Sequence, residues 1–275
     1  METALLNYFV HDTQLRSTCD FNPHFPGKGV SIYEILRIEQ EIPLFLKEHI
    51  DRIFSSAVLE NIQMNLSGKF IRQSVKALID ENGMRIGNIK FLFHRNPSGS
   101  NWFMAWVMPF FYPSARQYAE GVVAGSMQAE RENPNAKKVI HSLREQADTL
   151  IKKEHYWEVV YVNAEGFLTE GSRSNIFFIR DNKIFTSELS LVLPGITRAK
   201  VLTLAAENDI PVEETKIMPA EMKTFDACFL TGTSPKVLPV VRLNQWNFDV
   251  QHPLLRRLML DYDNIVARDL SRFRW

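Results

Sequence analysis

Residues 101–113 read NWFMAWVMPFFYP. The run is strongly apolar, but it falls well short of the ~20 residues that cross a bilayer, and Pro109 and Pro113 interrupt it. Trp102 to Phe110 therefore reads as a buried strand, rich in aromatic and other β-favouring residues. Towards the N-terminus, Ile89 to His94 reads as a second strand, and Lys69 to Asp80 as a helix that stops near Asn82-Gly83. Glu48 to Asn61 has helical spacing, with Ile50, Ile53, Phe54, Ala57, Val58 and Ile62 on one stripe. Val30 to Glu39 and Ile42 to Phe45 form an expected hairpin, and Leu5 to Arg16 contains a further strand.

Towards the C-terminus, YPSARQYAE (112–120) has little pattern and reads as a link. Lys138 to Glu154 reads as a helix. Short strands follow, separated by the turn signals Asn163-Ala164-Glu165-Gly166 and Asp181-Asn182. Pro194-Gly195-Ile196-Thr197 opens a helix that runs to about Asn208, and Pro253 to Phe273 is a terminal amphipathic helix. This mixture of antiparallel-looking strand runs and helices argues an α+β class in two domains, 1–115 and 116–275.

Composition limits the function classes. The chain has 275 residues, 45% hydrophobic and 23% charged, with a formal net charge of zero. That balance argues against a nucleic-acid or anionic-membrane partner, both of which favour a basic surface. The two cysteines, Cys19 and Cys228, lie far apart without metal-ligand spacing, and the seven histidines show none either. Free thiols in a reducing cytoplasm are the expectation, with no metal. Met1-Glu2-Thr3-Ala4 is acidic where a signal peptide is basic, which also points to a cytoplasmic protein.

Four segments carry the chemistry: EHIDR (48–52), KKVIHSL (137–143), TEGSRSN (169–175) with LPGITR (193–198), and FLTGTSP (229–235). Gly195-Ile196-Thr197 at a helix start offers backbone N–H groups, a hydroxyl and the favourable end of the helix dipole to an anion. Arg52 offers charge-assisted hydrogen bonds, or a surface pairing with Glu48 one turn away. Lys138 and Glu170, taken alone, read as a surface amine and a turn acid.

Together, in this order and spacing, the segments resemble the fold-type IV, or class IV, pyridoxal phosphate (PLP) enzymes. That group includes branched-chain and D-amino acid aminotransferases and 4-amino-4-deoxychorismate lyases. The resemblance runs from about Leu5 to about Val241. It implies a small N-terminal α/β domain and a larger C-terminal domain with a barrel-like sheet, the cofactor lying between them. It implies that Lys138 forms the Schiff base with PLP and then moves the substrate proton, and that Glu170 pairs with the pyridine nitrogen. Asn175 fixes the loop, and Leu193 packs on the ring. Ile196, Thr197, Thr233 and Arg52 hold the phosphate, with Ser234 as a further contact. His141 and Ser142 stand where Asn and Tyr are frequent. Arg95 and Arg173 are candidates for the substrate carboxylate, and Phe25 or Pro26 stands where relatives carry a pocket aromatic. The implied activity is transamination between an amino acid and a 2-oxo acid. Pyruvate release from aminodeoxychorismate is the alternative, followed by a non-catalytic PLP-binding module. The implied assembly is a homodimer.

Overall fold

The computed structural model describes residues 2–131, 133–139 and 141–275. Ile140, inside the KKVIHSL segment, and the side chain of His141 lie outside that description. The chain divides into two compact units. One is Met1–Phe111 with Ala136–Val139 and Val266–Trp275, and the other is Tyr112–Asn135 with Ile140–Ile265.

The first unit is built on β1 (Leu5–His11), β2 (Gln14–Ser17), β3 (Val30–Glu39), β4 (Ile42–Pro43), α1 (Leu46–Leu59), α2 (Gly68–Asn82), β5 (Ile86–Arg95) and β6 (Asn101–Met108). The strands form one sheet in the order β2-β1-β6-β5-β3-β4, antiparallel throughout. Period-two alternation sorts its side chains. Ile32, Leu36 and Ile38 of β3, Phe91 and Phe93 of β5, and Phe103 and Val107 of β6 pack with Ile53, Ile71, Val75 and Leu78 of the two helices. The opposite face carries Leu92, Met104 and Trp106 with Phe9, joined by Phe21, Phe25 and Tyr33. Ser67 caps the start of α2, and Gly83 ends it with φ 57°, as the Asn-Gly signal implies.

Three local expectations need correction here. Val58 is 76% exposed, so the α1 stripe is narrower than the spacing suggests. The strand from Asn101 stops at Met108, and Phe110 and Phe111 are exposed. Lys138 does not begin a helix. It forms a β-bridge with Ile32, and α4 starts at His141.

The second unit contains α3 (Ala115–Glu120), β7 (Val122–Gln128), α4 (His141–Glu154), β8 (Glu158–Val162), β9 (Leu168–Gly171), β10 (Asn175–Arg180), β11 (Lys183–Ser187), α5 (Ile196–Glu207), β12 (Val212–Thr215), β13 (Ala227–Gly232), β14 (Lys236–Leu243), β15 (Trp246–Asn247) and α6 (Pro253–Arg272), whose last turns fall in the first unit. The stretch read as a patternless link thus carries a short helix, closed by a reciprocal Ser114–Gln117 capping box. Eight strands follow the order β12-β11-β10-β13-β14-β7-β8-β9, with β15 on β14. The sheet curls like a half-barrel, and a single bridge links Leu168 of β9 to Ile217, just beyond β12. Asp181 and Asn182, both at positive φ, make the tight β10–β11 turn. Among the described residues, no helix is long and apolar enough to cross a membrane. Cys19 is an exposed free thiol and Cys228 a buried one.

Candidate active site

In the second unit the site grows from a buried acid. Glu158 opens β8 fully buried. Its two oxygens accept from the N–H and hydroxyl of Ser172 (3.2 and 2.6 Å), the N–H of Arg173 (3.2 Å) and the hydroxyl of Ser174 (3.0 Å). One carboxylate therefore shapes the whole Gly-Ser-Arg-Ser turn, and such charge-assisted bonds are the strong ones. Gly171 has no room for a side chain, because a Cβ there would lie 2.2 Å from Ser174 Oγ.

The turn presents its neighbours Glu170 and Asn175 to the start of α5. Glu170 is 3% exposed, and its Oε2 accepts from the backbone N–H of Leu193 at 2.9 Å. Asn175 Nδ2 donates to the Leu193 carbonyl at 3.0 Å and reaches Glu170 Oε2 at 3.4 Å. A Cβ on Gly195 would lie 2.1 Å from Asn175 Oδ1, so close approach requires that glycine. Gly195 is also the N-cap of α5 and provides no side-chain cap. The N–H groups of the first turn thus face outward without a capping side chain. The Thr197 hydroxyl lies 3.3 Å from the Tyr262 hydroxyl. Asn175 pairs in register with Thr231, whose buried hydroxyl has no hydrogen-bond partner among the described residues. Thr233, two residues on, is half-buried.

Sequence reasoning missed Glu158 and Arg131. The Arg131 Nε lies 3.3 Å from Glu170 Oε1, its Nη2 donates to the Ser172 carbonyl at 2.8 Å, and its guanidinium stands over the Tyr161 ring. Burial pushes the Tyr161 phenol up, against the opposing pull of Arg131. Glu130, Arg131, Asn163, Thr169, Glu170 and Leu191 line a cleft here. Arg173 is exposed and engages Glu158 through its backbone.

In the first unit, Arg52 is buried rather than on the surface. Its Nε and Nη2 donate to the two oxygens of Glu34 at 2.7 and 2.6 Å, and His49 Nδ1 lies 2.7 Å from the same carboxylate. Burial alone would raise the Glu34 carboxyl, but Arg52 and then His49 overcome it and hold it at about 2. Burial pulls His49 down from its ordinary value, against the opposing pull of Glu34. Glu34 and His49 were also missed. The signal was there for Glu34, which shares the inward parity of Ile32, Leu36 and Ile38 on β3.

Arg52, Ser56 and Glu60 follow one another at intervals of four along and just past α1, on one face. The Ser56 hydroxyl accepts from the Lys137 N–H at 3.1 Å, and Glu60 Oε2 lies 3.2 Å from Lys138 Nζ. Extended backbone sends the two lysines to opposite sides. Lys138 meets α1, while the Lys137 ammonium lies 4.9 Å from the Tyr33 ring centroid. Arg95, at the end of β5, is exposed and donates to the Asn61 carbonyl at 2.9 Å. Phe25 packs on Trp102 and Trp106, and its peptide bond to Pro26 is cis. Each unit thus assembles its own group: Arg52 and Lys138 in the first, and Glu170, Asn175, Leu193, Ile196 and Thr197 in the second. Among the described residues, no cluster of His, Cys, Asp or Glu could hold a metal ion.

Residues 31–243 match the family described as amino-transferase class IV. A probable branched-chain-amino-acid aminotransferase of Thermotoga maritima is 30% identical, over 81% of each chain. A D-alanine aminotransferase of Bacillus licheniformis is 28% identical, over 78% of this chain and 80% of that one. Among solved structures, a branched-chain amino acid aminotransferase of T.th. with pyridoxamine 5'-phosphate superposes with a TM-score of 0.83 at 21% identity, covering 97% of this chain and 96% of that one. The two-sheet architecture is shared with it, and with 213 consecutive residues under the family match, the chain belongs to the class IV aminotransferases.

Proposed function

We propose that this chain is a PLP-dependent transaminase that moves an amino group between an amino acid and a 2-oxo acid. The observation that carries the reading is the Leu193–Gly195 turn. At one end it is bonded to the buried carboxylate of Glu170, and at the other it opens the uncapped N-terminus of α5. One rigid network therefore offers both a carboxylate and an anion-binding helix end. That donor set fits a cofactor with a protonatable ring nitrogen and a phosphate. The Thr231 hydroxyl, buried and without a hydrogen-bond partner among the described residues, is in register with Asn175 and adds a polar atom of the kind a ligand would complete.

When bound, PLP draws electron density away from the carbon that carries the amino group. Glu170 would hold the proton on the ring nitrogen, with the Arg131 guanidinium 3.3 Å from its other oxygen. The N–H groups of Ile196 and Thr197, with the hydroxyls of Thr197 and Thr233, would bind the phosphate, and Arg52, oriented by Glu34, would add positive charge. Lys138 Nζ would bind the cofactor aldehyde and later carry the substrate proton, while Glu60 orients it. Arg95 and Arg173 remain the substrate-carboxylate candidates.

A donor screen on purified protein loaded with PLP tests the reading, using both enantiomers of each amino acid. A cofactor absorbance that is lost with a donor and restored by a 2-oxo acid is the expected result. Pyruvate release from aminodeoxychorismate without such exchange would instead make the protein a lyase. No spectral response to any donor would overturn the enzyme reading.

A further inference from the structure

Two segments of the second unit that would hold the cofactor phosphate are braced from one helix, α6. Leu255, Leu258 and Tyr262 are buried on it, and helical spacing places them on one stripe. Tyr262 differs from the leucines in carrying a hydroxyl at its tip. The residue is 3% exposed, and that hydroxyl lies 3.3 Å from the hydroxyl of Thr197, itself 4% exposed. Thr197 stands in the first turn of α5, whose N-cap Gly195 supplies no capping side chain.

The same helix reaches the second segment, the turn after β13. Gly232 and Lys236 face each other in register and close this turn around Thr233. The Tyr118 hydroxyl donates to the Pro235 carbonyl at 3.0 Å, and Arg256 of α6 donates to the Tyr118 and Ala119 carbonyls at 2.7 and 2.6 Å. Asp263 pairs with Lys236 at 3.0 Å, but its side chain is 60% exposed, and a solvated ion pair of that kind contributes little. Arg256 works at two removes, through backbone. Of these contacts, the one from Tyr262 ends on a group that would touch the phosphate itself.

The direction of that hydrogen bond decides what it does. A hydroxyl has one proton to give and two positions at which to accept. Thr197 can give its proton to an anion only when it does not give it to Tyr262. A phenol is a better proton donor than an aliphatic hydroxyl, so Tyr262 is the natural donor of the pair. We propose that Tyr262 is a positioning residue for the phosphate end of the cofactor site. It donates to the Thr197 hydroxyl oxygen, holds that side chain in one rotamer and leaves the Thr197 proton for the anion. This rests on the reading of Thr197 as a phosphate ligand, and Tyr262 acts through it.

Equilibrium dialysis of the purified full chain against PLP, and separately against pyridoxal, tells the phosphate from the ring. Tyr262→Phe removes one hydroxyl and keeps the packing. It should weaken PLP binding by about 5-fold, within the range of one neutral hydrogen bond, and leave pyridoxal binding within about 2-fold of wild type. In a Thr197→Val background, Tyr262→Phe should cause no further loss, because the two hydroxyls act as one unit. Thr197→Ser should keep PLP affinity close to wild type, since Tyr262 rather than the γ-methyl group fixes the hydroxyl. That variant decides the matter should Tyr262→Phe not melt cooperatively. Unchanged PLP affinity in folded Tyr262→Phe, an equal loss for pyridoxal, a further loss in the Thr197→Val background, or Thr197→Ser as weak as Thr197→Val overturns the proposal. Wild-type protein that binds PLP no more tightly than pyridoxal would overturn the phosphate reading itself, and this inference with it.

Discussion

Each unit buries a glutamate completely, and the two are satisfied in opposite ways. Glu34 in the first unit is held by a guanidinium and an imidazole. Glu158 in the second is held by neutral N–H and hydroxyl groups of one turn. A carboxylate paired with a cation fixes a side chain that belongs to another element, here Arg52 of α1. A carboxylate surrounded by neutral donors fixes the path of a loop, here the turn that carries Glu170. The first arrangement fails by stranding a charge and the second by loosening a backbone.

The largest effect should follow from Glu34→Ala. Arg52 would be left buried without its counter-ion, which costs about 3–5 kcal/mol. Urea titration measures this, and a loss under ~1 kcal/mol would show that Arg52 is readily resolvated. The same cluster sets an acid limit. Glu34 is held at about 2, below its ordinary 4.5, and burial holds His49 below its ordinary 6.5. In both cases the unfolded chain binds the proton more readily. Stability should therefore decline as pH falls below about 6.5, and decline again from 4.5 towards 2. A denaturation midpoint that rises on acidification would contradict this.

Glu158→Gln should cost less, about 1–3 kcal/mol, because an amide still accepts from part of the turn and no cation is stranded. Its diagnostic is faster hydrogen exchange at Ser172 to Asn175. Equal losses for Glu34→Ala and Glu158→Gln, with no local exchange change, would break the comparison. Glu170→Gln should leave the thermal midpoint almost unmoved and slow turnover at least ~10-fold, equivalent to about 1.4 kcal/mol on the barrier. Wild-type turnover at full cofactor occupancy would remove Glu170 from the mechanism. Smallest of all is Val58→Lys. At 76% exposure it should change stability by no more than about 0.5 kcal/mol, whereas Ile53→Ala on the buried side of the same helix should cost about 2–5 kcal/mol.

Much of the fold was legible because alternation and helical spacing are local signals. β5 and β6 announce themselves by aromatic and other β-favouring residues, and the Asn82-Gly83 and Asp181-Asn182 turns by residues that tolerate positive φ. What was illegible depends on distant partners. The stretch from Lys138 looks helical in isolation, but the Tyr33 N–H donates to the Lys137 carbonyl and the Val139 N–H to the Ser31 carbonyl. That pairing with β3, across more than a hundred residues, overrides local preference. Glu34 could be spotted as an acid on an apolar face, yet nothing nearby in sequence names Arg52 as its partner. Arg131 gives no local sign at all, since its meaning comes from Glu170, 39 positions later. The motif residues Glu170, Asn175 and Leu193 were legible as a set, and the structure supplies the bonds that join them.

Lys138, rather than its neighbour Lys137 beside Tyr33, is the residue that should bind the cofactor, and the proposed chemistry stands or falls on it. Borohydride treatment of PLP-loaded protein, followed by proteolysis and peptide mapping, tests it directly. Pyridoxyl label on Lys138, lost in Lys138→Ala and kept in Lys137→Ala, is the predicted result. Label on Lys137, or on no lysine of the 137–143 segment, would contradict it.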